Sequence, residues 1–233
     1  MHGTRFEHAV DFGSGTALRE HLHVYLEGDG RPWLRKRTPA RDPTARQPLA
    51  ARLMALDHGP ALYLGRPCYD GSSRQSECAP AWWTRQRYGE EVVASMAAAL
   101  RRLNPERAPV VLIGHSGGGT LAMLLAARLP ETAAVVTLAG NLDIAKWGAL
   151  HGEDLSGSLN PAERPPLPAG VHQLHLAGEG DENVPAEYIE NVARREPDAS
   201  FRILSGQDHA CCWQRIWPEV LAQLAQLKSR SVP

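Results

Sequence analysis

The sequence predicts an α/β protein, a mostly parallel sheet with helices on both faces. Three observations lead there. Short β-rich runs alternate with amphipathic helical stretches along the 233 residues, and such alternation builds a parallel sheet with right-handed crossovers. One run, Val110-Val-Leu-Ile113, is apolar throughout, as a strand covered on both faces must be. A Gly-rich turn follows it and opens into residues 117–129, Ala/Leu-rich with few charges. That is the composition of a helix packed against a sheet.

In chain order, Leu22-His-Val-Tyr-Leu26 reads as a strand ending in Glu27-Gly-Asp-Gly30, and Ala61-Leu-Tyr-Leu64 as a second, stopped by Gly65 and Pro67. With Val110–Ile113, the runs Ala134–Leu138, His172–Leu176 and Phe201–Leu204 bring the strands to at least six. A helix is predicted over 84–103, where Val92, Val93, Met96 and Leu100 recur at helical spacing before Asn104-Pro105. Two more are predicted over 185–195, opening at Pro185, and over 213–228. Residues 31–52, rich in Arg and Pro, read as a surface excursion. Residues 141–170, which include Trp147, are long for a connection, and a partial lid is expected there. A single domain over 1–233 accommodates all of this.

Composition narrows the function. A hydrophobic content of 43% suffices for one sizeable core, and a formal net charge of −1 gives no long-range pull toward nucleic acid or anionic lipid. Basic residues form no stripe with interleaved aromatics, and no Gly-rich phosphate loop of the required spacing occurs. The expected partner is a small molecule. No apolar run reaches the roughly 18 residues that span a bilayer, and Met1–Arg19 lacks the layout of a signal peptide. The chain as it stands is therefore expected to be soluble and cytoplasmic. Cys68 and Cys78 flank a polar loop that a disulfide could close, or they are two free thiols. A disulfide would imply an exported chain from which a signal peptide has been removed.

The strongest chemical signal is Gly114-His115-Ser116-Gly117-Gly118, directly after Val110–Ile113 and directly before a helical stretch. A serine nucleophile must stand clear of the sheet on a sharp turn, and small residues two before and two after it relieve the crowding. Ser116 then sits at a helix N-terminus, where free N–H groups and the dipole favour developing negative charge. His21-x-His23 could present two imidazoles on one strand face, but no third ligand is evident, so neither a metal nor another cofactor is expected. Cys211 and Cys212 occupy no elbow and read as packing or disulfide residues. Trp33, Trp82, Trp83 and Trp147 could each wall an acyl pocket or simply pack.

At these residues the sequence resembles the α/β-hydrolase family over roughly residues 20–225. The resemblance implies the order nucleophile, acid, histidine. The acid is expected after a late strand, where His172–Leu176 runs into Ala177-Gly-Glu-Gly-Asp181-Glu-Asn-Val-Pro185. Asp181 fits, with Glu179 and Glu182 as competitors. The histidine is expected after the last strand, where Ser205-Gly-Gln-Asp208-His209 follows Phe201–Leu204, and His209 fits. Asp208 is expected to point away from that imidazole.

Two oxyanion donors are implied as well. One is the N–H of Gly117; the other comes from Glu27-Gly28-Asp29-Gly30, which is similar to the family's His-Gly turn with Glu in place of His and leaves Gly28 and Asp29 both open. The expectation is a serine hydrolase of carboxylic esters working through an acyl-enzyme, with thioesterase or acyltransferase activity as the alternative and a non-catalytic binding module as the rival of another class.

Overall fold

A computed structural model describes residues 1–15, 21–35 and 37–227. Lys228, the last residue of the stretch predicted helical over 213–228, lies outside the described residues, as does Lys36 of the expected surface excursion. Among the described residues one sheet of seven strands dominates: β1 (Val10–Phe12), β2 (Leu22–Leu26), β5 (Ala61–Leu64), β6 (Val110–His115), β7 (Thr132–Leu138), β8 (His172–Gly178) and β9 (Ala199–Leu204), in the spatial order β1-β5-β2-β6-β7-β8-β9. Only β1 runs antiparallel, pairing with β5; every other pair is parallel. β3 (Trp33–Leu34) and β4 (Thr38–Pro39) form a separate small hairpin.

The period of two along the central strands explains why both faces are covered. Val24 and Leu26 of β2, with Val110 and Leu112 of β6, join one core with α2 (Glu90–Leu103), α3 (Gly117–Ala126) and α5 (Ala186–Ala193). Tyr25, Val111 and Ile113 turn to the other face, where they meet α1 (Leu49–Met54) and α6 (Trp217–Leu224). α4 (Ile144–His151) packs Ile144 and Trp147 into the first core.

Four sequence expectations need correction. The helix expected over 84–103 begins at Glu90, behind Gly89. Residues 84–88 instead turn inward: Arg87 Nε donates to the Thr84 carbonyl at 2.7 Å, and Thr84, Arg87 and Tyr88 are buried. The stretch 213–228 divides into a turn of 3-10 helix over Trp213–Arg215 and then α6, because Pro218 lacks an N–H and fits only a first helical turn. The surface excursion 31–52 holds the β3–β4 hairpin and the start of α1, whose Leu49, Ala50 and Leu53 are buried. A six-residue helix is too short to declare itself by periodicity. β1 also went unread: it is a three-residue edge strand with Phe12 exposed.

Two imidazoles are built into the core as neutral rings. His8 lies with Nδ1 2.9 Å from the Gly65 carbonyl and Nε2 2.9 Å from Ser95 Oγ, and His175 Nδ1 is 2.8 Å from Thr137 Oγ1. Burial lowers each from the ordinary 6.5 to about 4. The unfolded chain therefore takes up more protons between these values, and stability is lost as pH falls from about 6.5 to about 4, by on the order of 3 kcal/mol per imidazole. The urea midpoint is expected to fall across that window, and His8→Gln to flatten the fall. A midpoint constant with pH would show that neither ring is buried neutral.

Candidate active site

The carboxyl ends of β2, β6, β8 and β9 converge on one edge of the sheet, the place where parallel α/β folds gather their chemistry. β6 ends in His115, and Ser116 follows at φ 52°, ψ −120°, before α3 begins at Gly117. For a residue with a Cβ this backbone costs about 1–3 kcal/mol. Its surroundings hold it there: the Ser116 N–H donates to the Leu138 carbonyl at 3.0 Å, and the Ser116 carbonyl accepts from Gly119 at 2.9 Å and Asn141 at 3.0 Å. Gly114 is required by close approach, since a Cβ there would run into the backbone of Gly118 and Gly119.

Around Ser116 the structure brings three side chains together. Ser116 Oγ lies 3.0 Å from His209 Nε2, and His209 Nδ1 lies 2.9 Å from Asp181 Oδ2. The other Asp181 oxygen accepts from the N–H groups of Asn183 and Val184, both at 2.9 Å. The Asp181 side chain is wholly buried, so its three hydrogen bonds leave the imidazole one orientation. Glu179 and Glu182 stay exposed at the surface. Asp208 turns away from the imidazole to accept from the N–H groups of Ala210 and Cys211, at 2.8 and 2.7 Å. His115 Nε2 donates to the His209 carbonyl at 2.7 Å, tying the histidine loop to the elbow.

The turn after β2 distinguishes the two donors left open, Gly28 and Asp29. The Gly28 N–H donates to Glu27 Oε1 at 3.0 Å, and Glu27 Oε2 accepts from Ala50 in α1 at 2.9 Å. Burial pushes the Glu27 carboxyl up, but His115 and these two backbone donors outweigh it and hold the group below its ordinary value. The Gly28 donor is thus spent on a carboxylate, whereas the N–H groups of Asp29 and Gly117 make no hydrogen bond to the described residues.

The Asp29 side chain turns inward against α3, so close that a Cβ on Gly117 would strike it. There it pairs with Arg66 and with Arg87 Nη1 at 3.0 Å, and accepts from Tyr88 Oη at 2.6 Å. Burial would raise this carboxyl; the two guanidiniums and the phenol outweigh it and hold it far below the usual carboxylate range. Arg87 also pairs with Glu153, which accepts from Trp33 Nε1 at 3.1 Å. Neither Arg66, Arg87, Tyr88 nor Glu153 was singled out by sequence reasoning. No local motif marks them, because they meet only through long-range packing.

A cavity of about 290 Å³ opens over Ser116 and His209, walled by Gly28, Trp147, Glu153 and Asn183 among others. The segment 141–170 supplies two of these, Trp147 and Glu153. Trp82 and Trp83 lie elsewhere, packed near Phe6, which removes them as pocket walls. His23 Nδ1 pairs with Asp57 inside the fold. Cys68 and Cys78 are joined by a disulfide with Cα atoms 5.6 Å apart, next to the Arg66 turn. The sulfurs of Cys211 and Cys212 also lie together, just past His209. Among the described residues no helix is long and apolar enough to cross a membrane.

A thioesterase-domain family model matches residues 86–146, which hold α2, β6, the elbow, α3 and β7. No curated protein sequence matches the chain. Among solved structures, puromycin hydrolase superposes with a TM-score of 0.67 at 16% identity, over 97% of this chain and 38% of that one. This chain thus spans well under half of that protein. An α/β-hydrolase enzyme from the sediment metagenome of the Mar Chica lagoon, Morocco, matches over 96% and 95% of the two chains, at 17% identity and a TM-score of 0.56. An alpha-beta serine hydrolase homologue from Coxiella burnetii matches over 97% and 94%, at 15% identity and a TM-score of 0.60. The chain has the α/β-hydrolase fold.

Two stability measurements check this local architecture. Gly114→Ala is expected to cost at least ~2 kcal/mol in denaturant unfolding, because backbone on both sides blocks the new methyl. Cys68→Ser is expected to cost about 2–3 kcal/mol, the loop-closure contribution of so short a ring. Wild-type stability in either variant would contradict the contacts described.

Proposed function

We propose that this protein hydrolyses carboxylic esters of small acyl groups through an acyl-enzyme on Ser116. The observation that carries the reading is the continuous chain from Ser116 Oγ through His209 to the buried Asp181 carboxylate, at 3.0 and 2.9 Å. In this reading His209 Nε2 takes the hydroxyl proton as Ser116 Oγ bonds to the ester carbonyl carbon. The tetrahedral oxyanion is received by the N–H groups of Gly117 and Asp29, each worth about 3–4 kcal/mol in the transition state. The imidazolium then gives its proton to the departing alcohol, and water repeats the sequence on the acyl-enzyme. Asp181 keeps the imidazole in the required tautomer.

The cavity supports a short acyl group. At about 290 Å³ it lies at the lower edge of the roughly 300–1,000 Å³ typical of ligand pockets. Trp147 and Glu153, from 141–170, partly cover it. A second reading, thioester hydrolysis by the same residues, is favoured by the thioesterase-domain match over 86–146.

Turnover of p-nitrophenyl acetate tests the first reading. Ser116→Ala and His209→Ala are expected to lower kcat by several orders of magnitude, and Asp181→Asn by about 10⁴-fold. Full activity in one of them would remove that residue from the mechanism. A fluorophosphonate probe is expected to label Ser116, and its failure to do so would favour a non-catalytic binding module. Phenyl acetate against phenyl thioacetate separates ester from thioester preference, and added alcohol as competing acceptor tests for acyl transfer.

A further inference from the structure

The cavity wall carries a carboxyl group that the proposed ester chemistry does not use. In Glu153, Arg87 and Trp33 Nε1 both donate to the same oxygen, Oε2. Oε1 makes no hydrogen bond to the described residues. Of the carboxylates near Ser116, Glu153 is the most accessible, its side chain 22% exposed against 13% for Asp29, 8% for Glu27 and 0% for Asp181.

The nearby cations cannot serve as anion receptors. Arg87 is spent on Thr84, Asp29 and Glu153; Arg66 pairs with Asp29 and the Arg87 carbonyl, and its Nε is sealed inside with no partner among the described residues. Each has a side chain only 1% exposed. Counted around the site, the four carboxylates Glu27, Asp29, Glu153 and Asp181 face two guanidiniums, Arg66 and Arg87, with His115 and His209 as the neighbouring imidazoles. The local balance is negative. Such a cavity repels an anionic acyl group and attracts a cation, and the field inside a small concave site is focused rather than screened.

We infer that the preferred substrate carries a protonated amine, and that Glu153 Oε1 receives it while the ester carbonyl sits over Ser116. This rests on the hydrolase reading of Ser116 and adds the substrate class to it. Glu153 and Ser116 line the same cavity of about 290 Å³. Asn183 adds a polar neighbour: its Oδ1 accepts from Trp147 Nε1 at 3.2 Å and keeps a second lone pair for another donor. Trp147 supplies an aromatic surface on the same wall. The ammonium would gain a charge-assisted hydrogen bond, the kind of contact about twice as strong as a neutral one.

The test compares kcat/KM for ethyl glycinate and its uncharged isostere ethyl propionate, at a pH where the amine is protonated. In Glu153→Gln, which keeps an acceptor for Arg87 and Trp33 but loses the charge, the glycinate-to-propionate ratio is expected to fall roughly ten-fold or more. Taking the ratio across the two enzymes cancels the intrinsic reactivity of the esters. An unchanged ratio overturns the assignment while leaving the hydrolase reading in place.

A second measurement needs neither turnover nor the variant. By calorimetry, propylammonium is expected to bind the wild-type protein at least about ten-fold more tightly than 1-propanol, with an affinity that weakens as salt is added. Equal binding of the two would sink the proposal. If Ser116 resists a fluorophosphonate and neither ester turns over, the hydrolase reading falls, and the calorimetry still decides whether Glu153 binds an amine.

Discussion

The structure is organised around one backbone strain: a serine forced to a positive φ where β6 meets α3. No side chain holds it there. The N–H and carbonyl of Ser116 are tied to Leu138, Gly119 and Asn141, so the segments around β7 and α3 fix the elbow from both sides. Apolar burial on two faces of the sheet makes those neighbours rigid enough to sustain a conformation costing about 1–3 kcal/mol. The flat layers around it serve to present one hydroxyl outward, at the start of a helix, beside an imidazole from a loop far along the chain.

Around that elbow the charges are arranged in two shells of different character. His209 and Asp181 are held by short hydrogen bonds to one another and to backbone N–H groups. Asp29, Arg66, Arg87, Tyr88 and Glu153 instead form a network of paired ions beneath the turn after β2. Burying such ions is expensive, and the return in stability over a well-packed apolar cluster is small. What the network does provide is direction: it draws the Asp29 side chain inward and so fixes the peptide that carries the Asp29 N–H. The Cys68–Cys78 bridge steadies the turn from which Arg66 reaches in.

Much of this was legible in the residues. The strands from Leu22, Ala61, Val110, Ala134, His172 and Phe201 announce themselves because each is a short β-rich run bounded by Gly, Pro or polar turns. The elbow is legible because its requirements are local, a strand, a tight turn and a helix in direct succession. Asp181 and His209 could be picked out because the resemblance to the α/β hydrolases implies which strand each should follow, and those strands are recognisable. The parts that escaped notice depend on contacts made across the fold. Nothing around Arg87 distinguishes it from other surface-type arginines until Asp29 and Glu153 are seen beside it. Nothing in Glu27-Gly28 reveals that the carboxylate folds back onto the next amide. β1 and α1 escaped for a simpler reason: three and six residues are too few to display a period.

Asp29 joins two demands in one residue, since it lines the cavity over Ser116 and its carboxylate belongs to the ion network behind. Position 29 therefore has no freedom to drift alone. A neutral side chain there would leave Arg66 without its carboxylate and Arg87 with Glu153 alone, and losing either guanidinium would leave the acid half-paired. Proteins descended from this one are expected to exchange positions 29, 66 and 87 as a set or to keep all three, so the pattern of substitution among them would record a geometric tie that no single position reveals.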